Sequence, residues 1–429
     1  MLNTMGKICL TWSGKTPQLI LVEPEMVKEV LSNKSGNFPI PDVQGLLKVL
    51  GLGTGLPGLK GEEWANRRRL INPAFHMEKL KSLLPLFASS CSELVQRWEK
   101  SIGPQGSCEL DVWVELQNLT ADVISRAAFG SSYEEGKHIF QMQKKLEEMA
   151  AELLNVLSIP VLRFVKMKKN RRREELKEKM TSLLSKIIEK REQEMKLGTA
   201  NNDDLLGILL ESNKNHREYG SRGMTRDEII EECKVFYSAG HESTSELLTW
   251  TMVLLSMNPS WQMHARDEVL KVCGRHAPSF DNLAQLKIMT MIIYEVLRLY
   301  PPAVMLGRET YSTVKLGDIT LPAGVGLVVP ILLIHHDHTL WGDDADKFKP
   351  ERFSEGVANA TKNRLMFLPF SWGPRICIGQ TFALNEAKMA LAMILQSFTF
   401  ELSPSYTHAP HTILTLQPQY GAQIILHKL

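Results

Sequence analysis

Apolar residues recur at helical spacing along most of the chain, and they alternate in strand fashion only near its two ends and past its middle. The helical pattern predicts helices over 24–32, 77–101, 110–129, 132–157, 171–197, 225–257 and 286–300. Strand-like runs are KICLTW (7–12) and QLILVE (18–23), joined by the turn-like SGKTP, and FTFEL (398–402) and QIILHK (423–428) at the far end. Two more lie at 314–321 and 325–330. Strands from both termini and the middle are expected to share one small sheet, which argues against separable domains. The expectation is one large, mainly α domain over 1–429 with a smaller β-rich lobe, no internal repeat, and a polar, glycine-containing stretch at 198–223 that reads as a mobile loop.

Three segments depart from plain core-building sequence. The helix over 225–257 opens on Thr225-Arg226-Asp227-Glu228, a capping box, and is stopped by Pro259. At about 1.5 Å per residue it is long enough to cross a domain. In its middle stands Ala239-Gly240-His241-Glu242-Ser243-Thr244, where a glycine costs about 1 kcal/mol relative to alanine, so something requires the missing side chain. In Phe370-Ser371-Trp372-Gly373-Pro374-Arg375-Ile376-Cys377-Ile378-Gly379, the glycines allow tight turns and close approach of backbone to a flat ligand. An amphipathic helix is expected over 380–398. It puts Cys377 at a helix N-terminus, where the dipole favours a thiolate. Glu295 and Arg298 lie three apart on a helix ended by Pro301-Pro302, and Pro350-Glu351-Arg352-Phe353 supplies a second arginine.

Composition narrows the classes. The 429 residues are 44% hydrophobic and 23% charged, enough for a large core and unlike a disordered chain. A net charge of +2 gives no global field that would call for nucleic acid. Six scattered cysteines with no CxxC pair suit a reducing compartment. No run reaches the ~18 apolar residues of a membrane span, and MLNTMG lacks the apolar core of a signal peptide. The run His335-His336-Asp337-His338 lacks a spaced partner set for zinc, so structural roles are expected over a metallohydrolase site. The basic run 166–173 reads as a solvated helix start, and within EEWANRRRL a solvated helix face is one of two readings for Arg67 and Arg69 but not the favoured one for Arg68.

The spacing FxxGxRxCxG around Cys377 resembles the haem-binding signature of the cytochrome P-450 superfamily, and the resemblance extends from Gly6 to Leu429. EVLRLYPP, WGDDADKFKPERFSEG, SWGPRICIGQTFALNEAKMALAMILQ and APHTILTLQPQYGAQIILHKL are most similar to the plant subfamily that includes secologanin synthase and triterpenoid and gibberellin oxidases. The resemblance implies the cytochrome P-450 fold, with the long helix crossing over haem b, and Cys377 as axial thiolate covered by Phe370. Trp64, Arg68, Arg308 and Arg375 match positions that contact the propionates, while Ala239, Gly240, Gly373 and Gly379 match the residues that leave room for the cofactor. The middle of the long helix resembles the family's oxygen groove. Glu242 with Ser243, which stands where threonine is usual, and Thr244 would relay protons. Glu295, Arg298 and Arg352 resemble a buried structural network. The implied substrate pocket is formed by Phe236, Ala239, Ser243, Ala303, Val304, Met305, Leu306, Ile413 and Leu414, largely apolar and suited to a terpenoid scaffold.

By the same resemblance the activity is that of a monooxygenase acting on a hydrophobic plant metabolite with O2. Electrons come from NADPH through cytochrome P-450 reductase, which could dock on Lys79, Lys81 and the arginines near Trp64. Family members begin with a membrane anchor and a proline-rich hinge and lie on the cytosolic face of the endoplasmic reticulum; this chain starts after both. The stretch 153–165, with Pro160, resembles their membrane-facing loop. Two alternatives stand beside this reading. A reductase-independent haem-thiolate isomerase or dehydratase would tend to lack the Glu242-Ser243 pair. A non-catalytic, truncated haem protein would be poorly matched by intact Cys377, Glu295, Arg298 and Arg352.

Overall fold

The computed structural model describes residues 8–104, 106–130, 133–157, 166–199, 204–218, 223–361 and 363–429. The chain divides into two compact units. Met1–Pro41, Cys91–Leu116 and Ser243–Leu429 form one, and Asp42–Ser90 with Gln117–Glu242 the other.

The first unit carries the described strands: β1 (Ile8–Ser13), β2 (Thr16–Leu21), β3 (Ser107–Asp111), β4 (Leu306–Glu309), β5 (Val314–Leu316), β6 (Ile319–Leu321), β7 (Gly326–Val329), β8 (Phe398–Leu402), β9 (Pro410–Thr412), β10 (Leu416–Pro418) and β11 (Gln423–Lys428). They do not share one sheet, contrary to the expectation from sequence. The N-terminal hairpin joins the middle of the chain in a four-stranded sheet ordered β1-β2-β7-β4, whereas the C-terminal strands form a three-stranded sheet ordered β3-β11-β8. The reason lies in which edges are filled. β2 pairs in parallel with β7, Leu19 opposite Leu327, and β11 is paired on both sides, with Leu426 opposite both Cys108 and Phe400. Both edges of β11 are thus satisfied without the N-terminal hairpin. The run 314–321 is two strands rather than one, β5 and β6, turning at Gly317 with φ 58°.

Burial follows the apolar pattern. Leu19, Leu21, Leu327 and Val329 pack with Val27, Val30 and Leu31 of the helix Pro24–Ser32 and with Ile331, Met366 and Leu368. Helix Lys287–Leu299 buries Ile292, Ile293 and Val296 and stops at Tyr300, before the proline pair. Helix Gln380–Ser397 is not amphipathic as expected: every residue from Met389 to Gln396 is buried, because the segment has no polar face to turn outward.

The second unit contains helices Gln44–Leu50, Gly61–Ile71, Tyr133–Leu157, Lys166–Leu197 and Leu205–Glu218. The division of the chain falls inside helices Met77–Ser101, Val112–Phe129 and Arg226–Met257. Part of the stretch expected to be a loop at 198–223 is therefore helical. Asp204 caps that helix by accepting from Gly207 N–H (2.8 Å) and pairs with buried Arg191 (2.6 Å), while Leu205, Leu206 and Leu209 enter the core. The short apolar run Leu205–Leu210 was masked by the polar residues around it. The loop expected to face a membrane lies partly outside the described residues, at 158–165. Among the described residues no helix is long and apolar enough to cross a membrane.

Candidate active site

Cys377 is the exposed one of six unbridged cysteines; Cys91, Cys233 and Cys273 are buried, and Cys9 and Cys108 half-buried. Burial pushes the Cys108, Cys233 and Cys273 thiols up, away from thiolate chemistry. The loop that presents Cys377 closes on itself, with Cys377 N–H donating to the Phe370 carbonyl at 2.8 Å, and the helix Gln380–Ser397 begins three residues later. Gly373 has φ 75°, and a Cβ there would come within 2.6 Å of the Leu31 carbonyl oxygen, so the loop must be bare at this point to seat against helix Pro24–Ser32. Ser371 also lies in the left-handed region, at φ 67°, without being glycine, a strain that the closed loop holds in place.

Behind the loop stands a fully buried brace. Arg298 donates from Nε and Nη2 to the two oxygens of Glu295, both at 2.8 Å, and neither side chain is exposed. Arg352 Nε approaches Glu295 Oε1 at 3.6 Å and its other nitrogens bond the Trp341 carbonyl and Asp344. The Lys349 N–H adds a donor to Glu295 (2.9 Å), and Arg298 also donates to the carbonyls of His335, Ala345 and Lys347. The structure thus brings Glu295, Arg298 and Arg352 together. It also links them to the cysteine loop through a residue that sequence reasoning placed only in a general structural role. His335, fully buried, accepts from Leu368 N–H at Nε2 (2.9 Å) and therefore carries its proton on Nδ1, which donates to the Arg298 carbonyl (3.1 Å). Burial first, and then the Arg298 charge, hold His335 down to about 3, so it is a neutral bridge. His336 and His338 both reach Asp346. Among the described residues no group of three or more His, Cys, Asp or Glu side chains is arranged to hold a metal ion.

Arg308, on β4, is 5% exposed, and its Nη1 donates only to the neighbouring Gly307 carbonyl. Burial lowers its affinity for the proton, and among the described residues no carboxylate pairs with it. A buried guanidinium in that state is suited to an acidic ligand. Arg375 is half-buried within the cysteine loop. In the second unit Trp64 and Arg68 lie one turn apart on helix Gly61–Ile71, both half-buried, with Arg68 Nε on Asn72 Oδ1 (2.9 Å). Arg67 is not on a solvated face. It is buried and paired with Glu232 (2.6 Å) and Glu228 (2.9 Å), because Glu232 lies inside the core and also accepts from Leu56 N–H. No sequence signal marked that long-range pairing.

The long helix runs Arg226–Met257, with the Thr225–Glu228 capping box formed in both directions (3.3 and 2.6 Å). Its flanks are buried, yet Ala239 is exposed and Gly240, His241, Glu242 and Ser243 are half-buried; Thr244 is buried. Gly240 has a packing reason. A Cβ there would lie 2.7 Å from Cδ1 and 2.8 Å from Cγ1 of Ile124, a β-branched side chain with little room to turn. Beside it, Thr120 donates to the His241 carbonyl (2.9 Å), and burial pulls the His241 imidazole down to about 4. A second acid was not foreseen near Glu242. Burial, and then the Glu242 charge, push Glu147 up to about 8. Glu386, on Gln380–Ser397, is fully buried, and burial holds it well above the carboxylate range, as a neutral acid.

The expected pocket residues are distributed over both units. Phe236 is buried against Phe75, with ring centroids 5.9 Å apart. Ala303, Met305 and Ile413 are exposed, and Val304, Leu306 and Leu414 half-buried.

The sequence model of the cytochrome P-450 family matches residues 1–426. The chain is 56% identical over 427 residues to cytochrome P-450 CYP72A616 of Paris polyphylla, covering 99% of this chain and 82% of that protein. It is 51% identical over 428 residues to the 11-oxo-beta-amyrin 30-oxidase of Glycyrrhiza uralensis, covering 99% of this chain and 81% of that enzyme. Cytochrome P-450 72A15 of Arabidopsis thaliana is 50% identical over 430 residues, 100% of this chain and 83% of its own length.

Proposed function

The chain belongs to the cytochrome P-450 family and is a haem-dependent monooxygenase; from that premise we propose that it oxidises a hydrophobic, triterpenoid-like plant metabolite with electrons drawn from NADPH through cytochrome P-450 reductase. The observation that carries the reading is the one exposed thiol, Cys377, held at the start of a helix by a closed loop with a buried acid–base brace behind it. The residues present fit haem. Cys377 supplies a soft anionic donor for iron, and Arg308 is a buried cation without a carboxylate partner among the described residues, suited to a propionate. When bound, the haem supplies the O2 activation that no side chain can provide.

The chain's own residues have distinct tasks. Cys377 would hold the iron as thiolate, Phe370, whose carbonyl accepts from Cys377 N–H, would shield the sulfur, and the bare backbone at Gly373 and Gly379 would leave room for the cofactor. Arg308 and Arg375 would hold a propionate, and the family resemblance gives Trp64 and Arg68 the same role. Glu242 and the Ser243 hydroxyl would move protons inward, and Glu147, held up to about 8 by burial and the Glu242 charge, would be a protonated reserve for Glu242. Serine in place of threonine keeps the hydroxyl and loses the methyl that fixes its rotamer. Thr244, which is buried, would supply the next hydroxyl of the relay. By the family resemblance Phe236 and Ala239, with Ala303, Val304, Met305, Leu306, Ile413 and Leu414, would line the substrate pocket, and their apolar character suits a substrate such as the name of the Glycyrrhiza relative prints. The protein is expected at the cytosolic face of the endoplasmic reticulum, with the 153–165 region touching the membrane.

The test is turnover of a triterpenoid panel by the haem-loaded chain with NADPH and a plant reductase under isotopically labelled O2. A product carrying one labelled oxygen atom is expected. Turnover that needs no NADPH, or a product without label, would overturn the proposal and favour a reductase-independent isomerase or dehydratase.

A further inference from the structure

Within the unit that contains Cys377, four aromatic side chains run in unbroken contact from the interior to solvent. Trp250, on helix Arg226–Met257, is fully buried, and its indole stacks on Tyr300 with centroids 4.4 Å apart and planes at 16°. Tyr300 Oη lies 3.0 Å from His408 Nε2, and Tyr406 Oη lies 2.8 Å from His408 Nδ1. Tyr300 and Tyr406 are half-buried and His408 is exposed.

We propose that Trp250, Tyr300, His408 and Tyr406 form a one-electron conduit that drains stray oxidising equivalents from the interior to the surface, a protective function separate from substrate oxidation. It rests on the proposed haem chemistry, which brings the oxidant into the protein. Trp250 lies seven residues beyond Ser243 on the same helix, about 10 Å along the axis at 1.5 Å per residue.

The hydrogen bonds set the direction of flow. Trp250 Nε1 donates to the Leu416 carbonyl (2.7 Å), which is no base, so an indole that loses an electron keeps its proton and remains a radical cation. That cation takes an electron from the stacked Tyr300. A phenol gives up an electron readily only if its proton can leave, and His408 Nε2 is in place to accept it. Partial burial lowers His408 from its ordinary value, so the imidazole is neutral at pH 7, and in the tautomer that carries its proton on Nδ1 the Nε2 lone pair faces the Tyr300 hydroxyl. Burial also raises Tyr300, so the phenol holds its proton until it is oxidised.

The balance closes. A hydroperoxide takes two electrons and two protons to give an alcohol and water; two successive passes through Trp250 supply the electrons, and solvent supplies the protons. The indole is restored by Tyr300, leaving a phenoxyl radical beside an imidazolium. A thiol or ascorbate in solution then returns one electron, the proton moves back from His408, and the reductant leaves oxidised by one electron.

The test uses the haem-loaded full chain, mixed with cumene hydroperoxide and freeze-quenched for electron paramagnetic resonance, beside Trp250→Phe and Tyr300→Phe, which preserve ring packing. A tyrosyl signal is expected in the unmodified protein and is lost in both variants, whose haem bleaches faster under peroxide. If the cluster merely pins the C-terminal loop, radical yield and bleaching will match the unmodified protein in both variants, and the conduit is refuted. The reduced, carbon monoxide-bound spectrum of the same samples separates the two claims. A thiolate-type spectrum with an unchanged radical overturns the conduit alone, and its absence overturns the assignment of Cys377 and the conduit with it.

Discussion

Glu295→Ala would leave two guanidiniums around a missing carboxylate. In the intact protein the Glu295 oxygens accept from Arg298 Nε and Nη2 at 2.8 Å and from Lys349 N–H at 2.9 Å, with Arg352 at 3.6 Å, and no part of the Glu295–Arg298 pair reaches solvent. Breaking a pair of this kind from one side typically costs about 3–5 kcal/mol, since the remaining charge can neither pair nor hydrate. Against a total stability of roughly 5–15 kcal/mol that is a large fraction. The loss should also reach the haem ligand, because Arg298 bonds the His335 carbonyl and the His335 ring holds Leu368, two residues before Phe370. The expected result is an unfolding free energy, from urea denaturation, lowered by that amount and a chain that fails to retain haem, read from the Soret-to-protein absorbance ratio. Asp344→Asn is the control: it removes a partially exposed partner of Arg352 and should cost under about 1 kcal/mol. Full haem content in Glu295→Ala, with a shift no larger than the control's, would refute the reasoning.

Three further outcomes are expected. Glu386 is neutral when folded and charged when unfolded, so its burial costs stability increasingly as pH rises above the ordinary carboxylate range, by about 1.4 kcal/mol per pH unit until the folded group titrates. Glu386→Gln should therefore be more stable than the parent at neutral pH and converge with it in acid; equal denaturation midpoints at every pH would count against a buried neutral acid. His335 has the opposite linkage. Held down to about 3, it contributes stability that is present above the unfolded value of about 6.5 and lost as pH falls below it, so His335→Asn, which keeps one donor and one acceptor, should flatten the acid limb of a pH–stability curve. Gly240→Ala gains about 1 kcal/mol of helix propensity but meets Ile124, an overpacking cost of about 1–3 kcal/mol. The net effect should be a loss that Ile124→Ala relieves in a double-mutant cycle, and strict additivity of the two changes would exclude the contact.

The sequence announced most of the helices because burial here follows apolar spacing: 24–32 and 77–101 end where the pattern ends. It announced the cysteine loop because glycine, proline and a single thiol at fixed spacing have few other uses. What it could not announce were relations between distant residues. The sheet partition depends on β3, SCELD, whose alternation has only two apolar positions, Cys108 and Leu110, yet which fills one edge of β11. Arg67 sits in a run of three arginines and looked solvated, yet its partners Glu228 and Glu232 lie some 160 positions away in sequence. The His335 bridge and the Trp250–Tyr300–His408 contacts are equally non-local, and their neutral rings offer no charge pattern to betray them. Helix Leu205–Glu218 was hidden for a different reason. Its apolar run is short and flanked by Asn, Asp and Lys, so only the Asp204 cap and the Arg191 pair distinguish it from a loop.

The central claim is that Cys377 is the haem ligand and that its thiolate is sustained by the loop around it. The direct test is the reduced, carbon monoxide-bound difference spectrum of the haem-loaded chain and of Cys377→Ser. A Soret band characteristic of thiolate ligation, present in the unmodified protein and absent in Cys377→Ser, is the predicted result. A thiolate band that survives Cys377→Ser would assign the ligand to another residue and contradict the account.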